Sequence, residues 1–342
     1  MHKKNLFLRS LYDFANSIVF INFLLYFAQR IVIDGGLSDF RYNAIFAITT
    51  VLLFLSAPML AAYTDKHGGR KFFLNISTTG TFVSYGLAAL LATTGGASIF
   101  IIALLFLIGQ YFYQLSFVFY NPMLGEIADV THRARASGIG QFANALGQAA
   151  GLLITLPLAD SRTAPLLPAV GIFFVLALPM MIFFQENKKR DRALSFSTMR
   201  TETAMFRKKI VLFFTLSVAT PVLLAFFFFN DALITVSNNY SIYMERVFSI
   251  ADTTKSLLLL SILAMSAIGG VIAGWLGDKI GLLKTLKLIL LLRVVALPTI
   301  ALTSNFIVFA MITALVGLLI GSVFSTTRAY VSTLLAEEEM GY

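Results

Sequence analysis

Ala61-Ala62-Tyr63-Thr64-Asp65-Lys66-His67-Gly68-Gly69-Arg70-Lys71 closes one long apolar run, and Gly274-Trp275-Leu276-Gly277-Asp278-Lys279-Ile280-Gly281 closes another. The two Asp-Lys-x-Gly cores lie 213 residues apart, and Asn16-Ser17 is echoed by Asn230-Asp231 at an offset of 214. A single Asp-Lys-x-Gly is common by chance. Two at matching loops, with a second polar pair at nearly the same offset, mark a parallel internal repeat.

The surroundings of these loops say what kind of chain repeats. Of its 342 residues 58% are hydrophobic and only 13% charged, with a mean hydropathy of +0.83. Ordinary soluble domains carry about 25% charged residues. The composition therefore excludes a soluble enzyme and a disordered tail. The net charge of +9 does not point to a nucleic-acid partner, because the basic residues sit in short loops between apolar runs, where they signal topology. There is no Cys, and His2, His67 and His132 all lie outside the apolar runs. Disulfide and thiolate chemistry are thus excluded, no His-rich metal centre is expected, and no cofactor is implied. No H-E-x-x-H and no intramembrane nucleophile–base pair favours a membrane-embedded enzyme. No cleavable signal peptide is expected, since the first apolar run is too long for one.

A helix rises about 1.5 Å per residue, so about 20 residues cross the hydrocarbon core. That measure gives ten spans, near 11–33, 42–63, 72–94, 99–127, 137–159, 167–185, 219–244, 255–276, 285–303 and 305–335. The chain is an all-α polytopic membrane protein. Pro221 interrupts the long apolar stretch from Ile210 to Met244, so Met205 to Ala219 is expected to be interfacial, with the crossing after it. Counting Lys and Arg with the N-terminus inside places 19 in inner loops and 5 (Arg30, Arg41, Arg162, Arg246, Lys255) in outer ones. The imbalance predicts a cytoplasmic N-terminus. Three segments follow: a six-helix bundle over 1–185, a basic cytoplasmic linker over 186–209, and a four-helix bundle over 210–342.

The two loops look like the signature loop of the major facilitator superfamily. Tyr12-Asp13-Phe14-Ala15-Asn16-Ser17, Phe119-Tyr120-Asn121-Pro122 running into Glu126-Ile127-Ala128, Phe229-Asn230-Asp231 and Thr327-Arg328 narrow the likeness. Together they resemble the UMF1 family, related to autophagy-related vacuolar amino-acid effluxers. The resemblance implies a twelve-helix fold of which this chain carries about ten, so the sequence reads as C-terminally incomplete. It further implies a secondary transporter moving a small polar solute, such as an amino acid, by alternating access, with protons as a coupling ion. A non-transporting receptor or a lipid-handling protein on the same fold is the alternative.

Charges within apolar helices are costly and persist where they face a cavity or a partner. Asp231, beside Asn230 and mid-span, is the leading candidate for substrate or proton handling; a hydrogen-bond knot between helices is the structural alternative. Arg328 is expected to hold a carboxylate or to pair with Asp231. By the resemblance, spans 1, 4, 7 and 10 line the cavity, which adds Asn16 and Asn121, with Asn144 on span 5 as a further contact. Asp65, Arg70, Lys71, Glu126, Asp278 and Lys279 form the expected cytoplasmic gate: carboxylates accept from helix N-terminal amides, and the basic residues pair with acids or lipid. Three structural readings accompany these. Ser10 to Asp13 reads as a capping box opening span 1. Arg293 is expected to snorkel toward the cytoplasmic headgroups. Gly147-x-x-x-Gly151 and Gly270-x-x-x-Gly274 are expected to let helices approach closely.

Overall fold

The computed structural model describes residues 3–127, 130–186 and 220–334, except the side chains at 130–135, 328 and 332–334. Ten described helices are long and apolar enough to cross a membrane. They are α1 (Lys3–Asp34), α2 (Asp39–His67), α3 (Arg70–Thr94), α4 (Ile99–Ile127), α5 (Val130–Thr155), α6 (Leu166–Phe183), α7 (Thr220–Phe248), α8 (Asp252–Ile280), α9 (Leu282–Leu302) and α10 (Phe306–Leu334). An all-helical solution is what oil demands, because each helix satisfies its own backbone polar groups.

The chain divides into two compact units, Met1–Ile210 and Val211–Tyr342. In the first, α3 and α2 both pack on α4, while α1 packs on α5 and α6. In the second, α9 and α8 both pack on α10. The pairing of helices two and three with helix four thus recurs, as the repeated loops predict.

Those loops are short because glycine permits it. Gly68 (φ 71°) and Gly69 (φ 86°) make the whole turn from α2 to α3, and Gly281 (φ 90°) alone separates α8 from α9. A side chain at such φ values is strained. Glycine also sets the closest helix approaches. A Cβ on Gly147 would overlap the Phe14 backbone, and one on Gly151 would meet Ile18 Cα, so α5 lies directly against α1. In the second unit the expected pair, Gly270 and Gly274, is not the contact: nothing lies within 4 Å of a Cβ at Gly274. The close approach is one residue earlier. Gly269 abuts the Leu318 backbone, and Gly317 and Gly321 of α10 abut Ile262 and Ser266 of α8. Ser322 then donates to the Gly269 carbonyl at 2.8 Å.

The first helix departs from the sequence reading. Span 1 begins at Lys3, and Ser10 does not cap it; its hydroxyl donates to Leu6 O one turn back, at 2.9 Å. Asp13 is therefore interior to the helix. The outer part of α1 is wound as two π-helical turns, Phe23–Phe27 and Arg30–Asp34. Pro221 is the second described residue of α7. The interfacial segment expected over Met205–Ala219 lies outside the described residues, as does most of the basic linker.

Candidate functional site

The first unit carries a polar column along α1. Arg9, Asp13, Asn16, Ser17, Asn22 and Gln29 are all buried. Arg9 Nη1 lies 3.8 Å from Asp13 Oδ2, its guanidinium sits 4.3 Å from the Tyr120 ring centroid, and the Tyr120 hydroxyl donates to Arg9 O at 3.0 Å. Tyr12 stacks on Tyr120 and shares a 2.7 Å hydrogen bond with Thr78. Asn16 lies next on this column and is 1% exposed, beside the Tyr12 hydroxyl. Neither of its amide atoms makes a well-formed hydrogen bond. A buried unsatisfied polar group costs about 1–3 kcal/mol, so Asn16 is retained at a cost to the fold.

Of the other expected ligands in this unit, Asn121 is exposed at the end of α4's regular turns. Asn144 is half-buried, and its Oδ1 accepts from Gln148 of the same helix at 2.8 Å.

At the α2–α3 turn, Arg70 Nη2 reaches Asp65 Oδ1 at 2.6 Å, and Nη1 reaches Glu126 Oε1 at 3.1 Å. One guanidinium thereby ties the end of α2, the start of α3 and the end of α4. The carboxylate on the helix N-terminus is not the expected one. Glu186 Oε1 accepts from the Gly69 and Arg70 amides at 2.8 and 2.7 Å, and Oε2 accepts from the Lys71 amide at 3.3 Å. These are the free N–H groups that open α3, where a negative charge is favoured. Lys71 Nζ, in the field of the Glu186 carboxylate, donates to the carbonyls of Ile182 and Phe184, at 2.8 and 2.9 Å. It closes the carbonyl end of α6, where no further helical turn takes them. Sequence reasoning placed Glu186 at the start of the linker; an isolated acid after an apolar run carries no pattern that reveals its partner.

The corresponding turn of the second unit is built differently. Asp278 is exposed, and Lys279 Nζ lies 3.8 Å from the Trp275 ring centroid. At the other end of that unit, fully buried Lys255 pairs with Glu245 and with Asp252, the latter at 2.6 Å. It joins the end of α7 to the start of α8, and counting it as a simple outer-loop charge missed this role.

On α7, Asn230 is half-buried and Asp231 is exposed. Asp231 makes no hydrogen bond or ion pair among the described residues, so it does not knot helices of its own unit together there. The side chain of Arg328 lies outside the described residues. Arg293 contradicts the snorkelling expectation. It is the twelfth of 21 residues in α9, about 16 Å from the helix start. It is only 4% exposed, and Nε, Nη1 and Nη2 have no hydrogen-bond partner. Its guanidinium carbon lies 5.5 Å from the Phe229 ring centroid. An Arg at a helix centre costs about 2.5–3.5 kcal/mol on insertion scales. A cation–π contact returns about 0.5–2 kcal/mol. Phe229 therefore offsets only part of the cost.

Sequence comparison matches residues 6–342 to the Major Facilitator Superfamily. The chain belongs to that superfamily. Curated protein sequences give no match. Among solved structures, a bacterial homologue of the human lysosomal transporter Spinster aligns with a TM-score of 0.70 at 14% identity, over 99% of this chain and 78% of that one. The human organic anion transporter MFSD10 aligns at 0.64 and 16% identity, over 99% and 88%. The nucleoside transporter NupG aligns at 0.61 and 12% identity, over 98% and 84%. At these identities the likeness is one of fold. Superfamily membership and ten apolar helices among the described residues make the chain an integral multi-pass membrane protein with the major facilitator fold.

Proposed function

We propose that the protein is a secondary transporter that moves a small polar solute by alternating access, with its N-terminus cytoplasmic. The observation that carries this is superfamily membership over nearly the whole chain. Polar groups kept inside apolar helices at a cost, among them Asn16 and Asp231, support it. The UMF1 likeness of Tyr12–Ser17 and Phe229–Asp231 supports amino acids as the solute class. The bundles over 1–185 and 210–342 are the two moving parts, joined by the basic linker. Asn16, Asn121, Asn144, Asn230, Asp231 and Arg328 contribute to solute binding or coupling. Asp65, Arg70, Lys71 and Glu126, with Asp278 and Lys279, form the cytoplasmic gate. Asp231 is the coupling carboxylate of this reading, a charge retained mid-way along an apolar helix.

The test is uptake of radiolabelled amino acids into proteoliposomes with and without a pH gradient, for the parent and Asp231→Asn. Gradient-driven uptake that disappears in Asp231→Asn supports the reading. Equal gradient-driven uptake by both proteins removes Asp231 from it, and absence of flux across the amino-acid panel removes the solute class.

A further inference from the structure

We infer that Arg293 is an anion-binding residue, and that the second unit holds its guanidinium ready for a carboxylate monoanion. The placement is hard to explain otherwise. Arg293 lies midway along α9, on the same buried face as Thr285, Ile289, Ala296 and Ile300. A guanidinium offers five N–H donors in a rigid fork, shaped for two oxygens of one acid. All three of its nitrogens are buried without an acceptor. The residue cannot discard its charge, because a guanidinium stays protonated in proteins. Phe229 supplies one aromatic face and no acceptor atom.

The charge balance sets the ligand class. The other cations of this unit whose side chains are described lie near helix ends: Arg246 and Lys255 at one, Lys279, Lys284 and Lys287 at the other. Lys255 already has two acid partners. A single guanidinium matches one carboxylate in charge and in its two-oxygen fork, and leaves a doubly charged phosphate under-compensated. The inference deepens the proposed function only in what it says of the solute: an acid group docks here. The site itself stands or falls without any transport measurement.

Thermal unfolding of the full chain in detergent tests it, in sodium acetate, inorganic phosphate and sodium chloride at equal ionic strength. The parent, Arg293→Lys and Arg293→Met are compared. The inference expects acetate to raise the parent midpoint by several degrees over chloride, a smaller rise in Arg293→Lys, and none in Arg293→Met. It further expects Arg293→Met to melt no lower than the parent in chloride, since a burdensome charge has been removed. Equal acetate responses in the parent and Arg293→Met overturn the site, and a phosphate response exceeding that of acetate overturns the carboxylate assignment. Should Arg293→Met not fold, phenylglyoxal modification of the parent, read at the Arg293 peptide by mass spectrometry, decides. Protection by acetate supports the site, and modification unchanged by acetate overturns it. Flux assays fail or succeed separately, so loss of the transport reading is distinguishable from loss of the site.

Discussion

Arg70 and Glu126 are 56 residues apart in the chain and 3.1 Å apart in the fold, with both side chains largely buried. Because the same guanidinium also holds Asp65, one side chain secures three helix ends. Arg70→Gln removes the ion pairs to Glu126 and Asp65 together. Breaking such a pair costs about 2–5 kcal/mol. The melting midpoint in detergent is expected to fall by several degrees, whereas Lys66→Gln, an exposed neighbour, leaves it unmoved.

Glu186 satisfies three amides at the start of α3. Glu186→Ala is expected to cost about 1–2 kcal/mol, the range for a lost helix cap. Hydrogen exchange should quicken at Gly69, Arg70 and Lys71 before it changes elsewhere in α3. Unaltered exchange at those amides would show that the cap is not what holds them.

The glycine contacts make a matched set. Gly269→Ala pushes a methyl into the Leu318 backbone, and Gly147→Ala does the same against Phe14. Overpacking of this kind costs about 1–3 kcal/mol. Gly274→Ala meets open space and gains helix propensity, so its midpoint should hold or rise. Thermal melts of the three variants check the ordering directly.

Lys255 is fully buried between Glu245 and Asp252. Lys255→Met removes the cation that Glu245 and Asp252 share at the α7–α8 corner, and removing one partner of a buried pair costs about 3–5 kcal/mol. Restoring balance in Lys255→Met with Glu245→Gln and Asp252→Asn should recover much of the lost midpoint. If the triple variant melts as low as the single one, the pairing is not the source of the loss.

What the sequence revealed and what it hid divide along physical lines. Ten crossings and the repeat were legible because hydropathy runs and a recurring Asp-Lys-x-Gly are local signals. The Arg70–Asp65 contact was legible because the two residues lie five apart in one loop. Glu186 was not, since its partners begin at Gly69, 117 residues away, and no spacing encodes that. Arg293 was misread because two lysines nearby suggested a path to the headgroups, while its burial depends on how α9 faces its neighbours. The glycine register in α8 was missed by one residue for the same reason: Gly269, Gly270 and Gly274 look alike until α10 supplies the opposing backbone.

The absence of Cys in the chain makes the central claim directly measurable. Single cysteines at Asn230 and Asp231 would be probed with a membrane-impermeant maleimide in right-side-out and inside-out vesicles. Alternating access predicts labelling at Asn230→Cys or Asp231→Cys from both sides of the membrane. Labelling of the α7 positions from one side alone, or from neither, would contradict it.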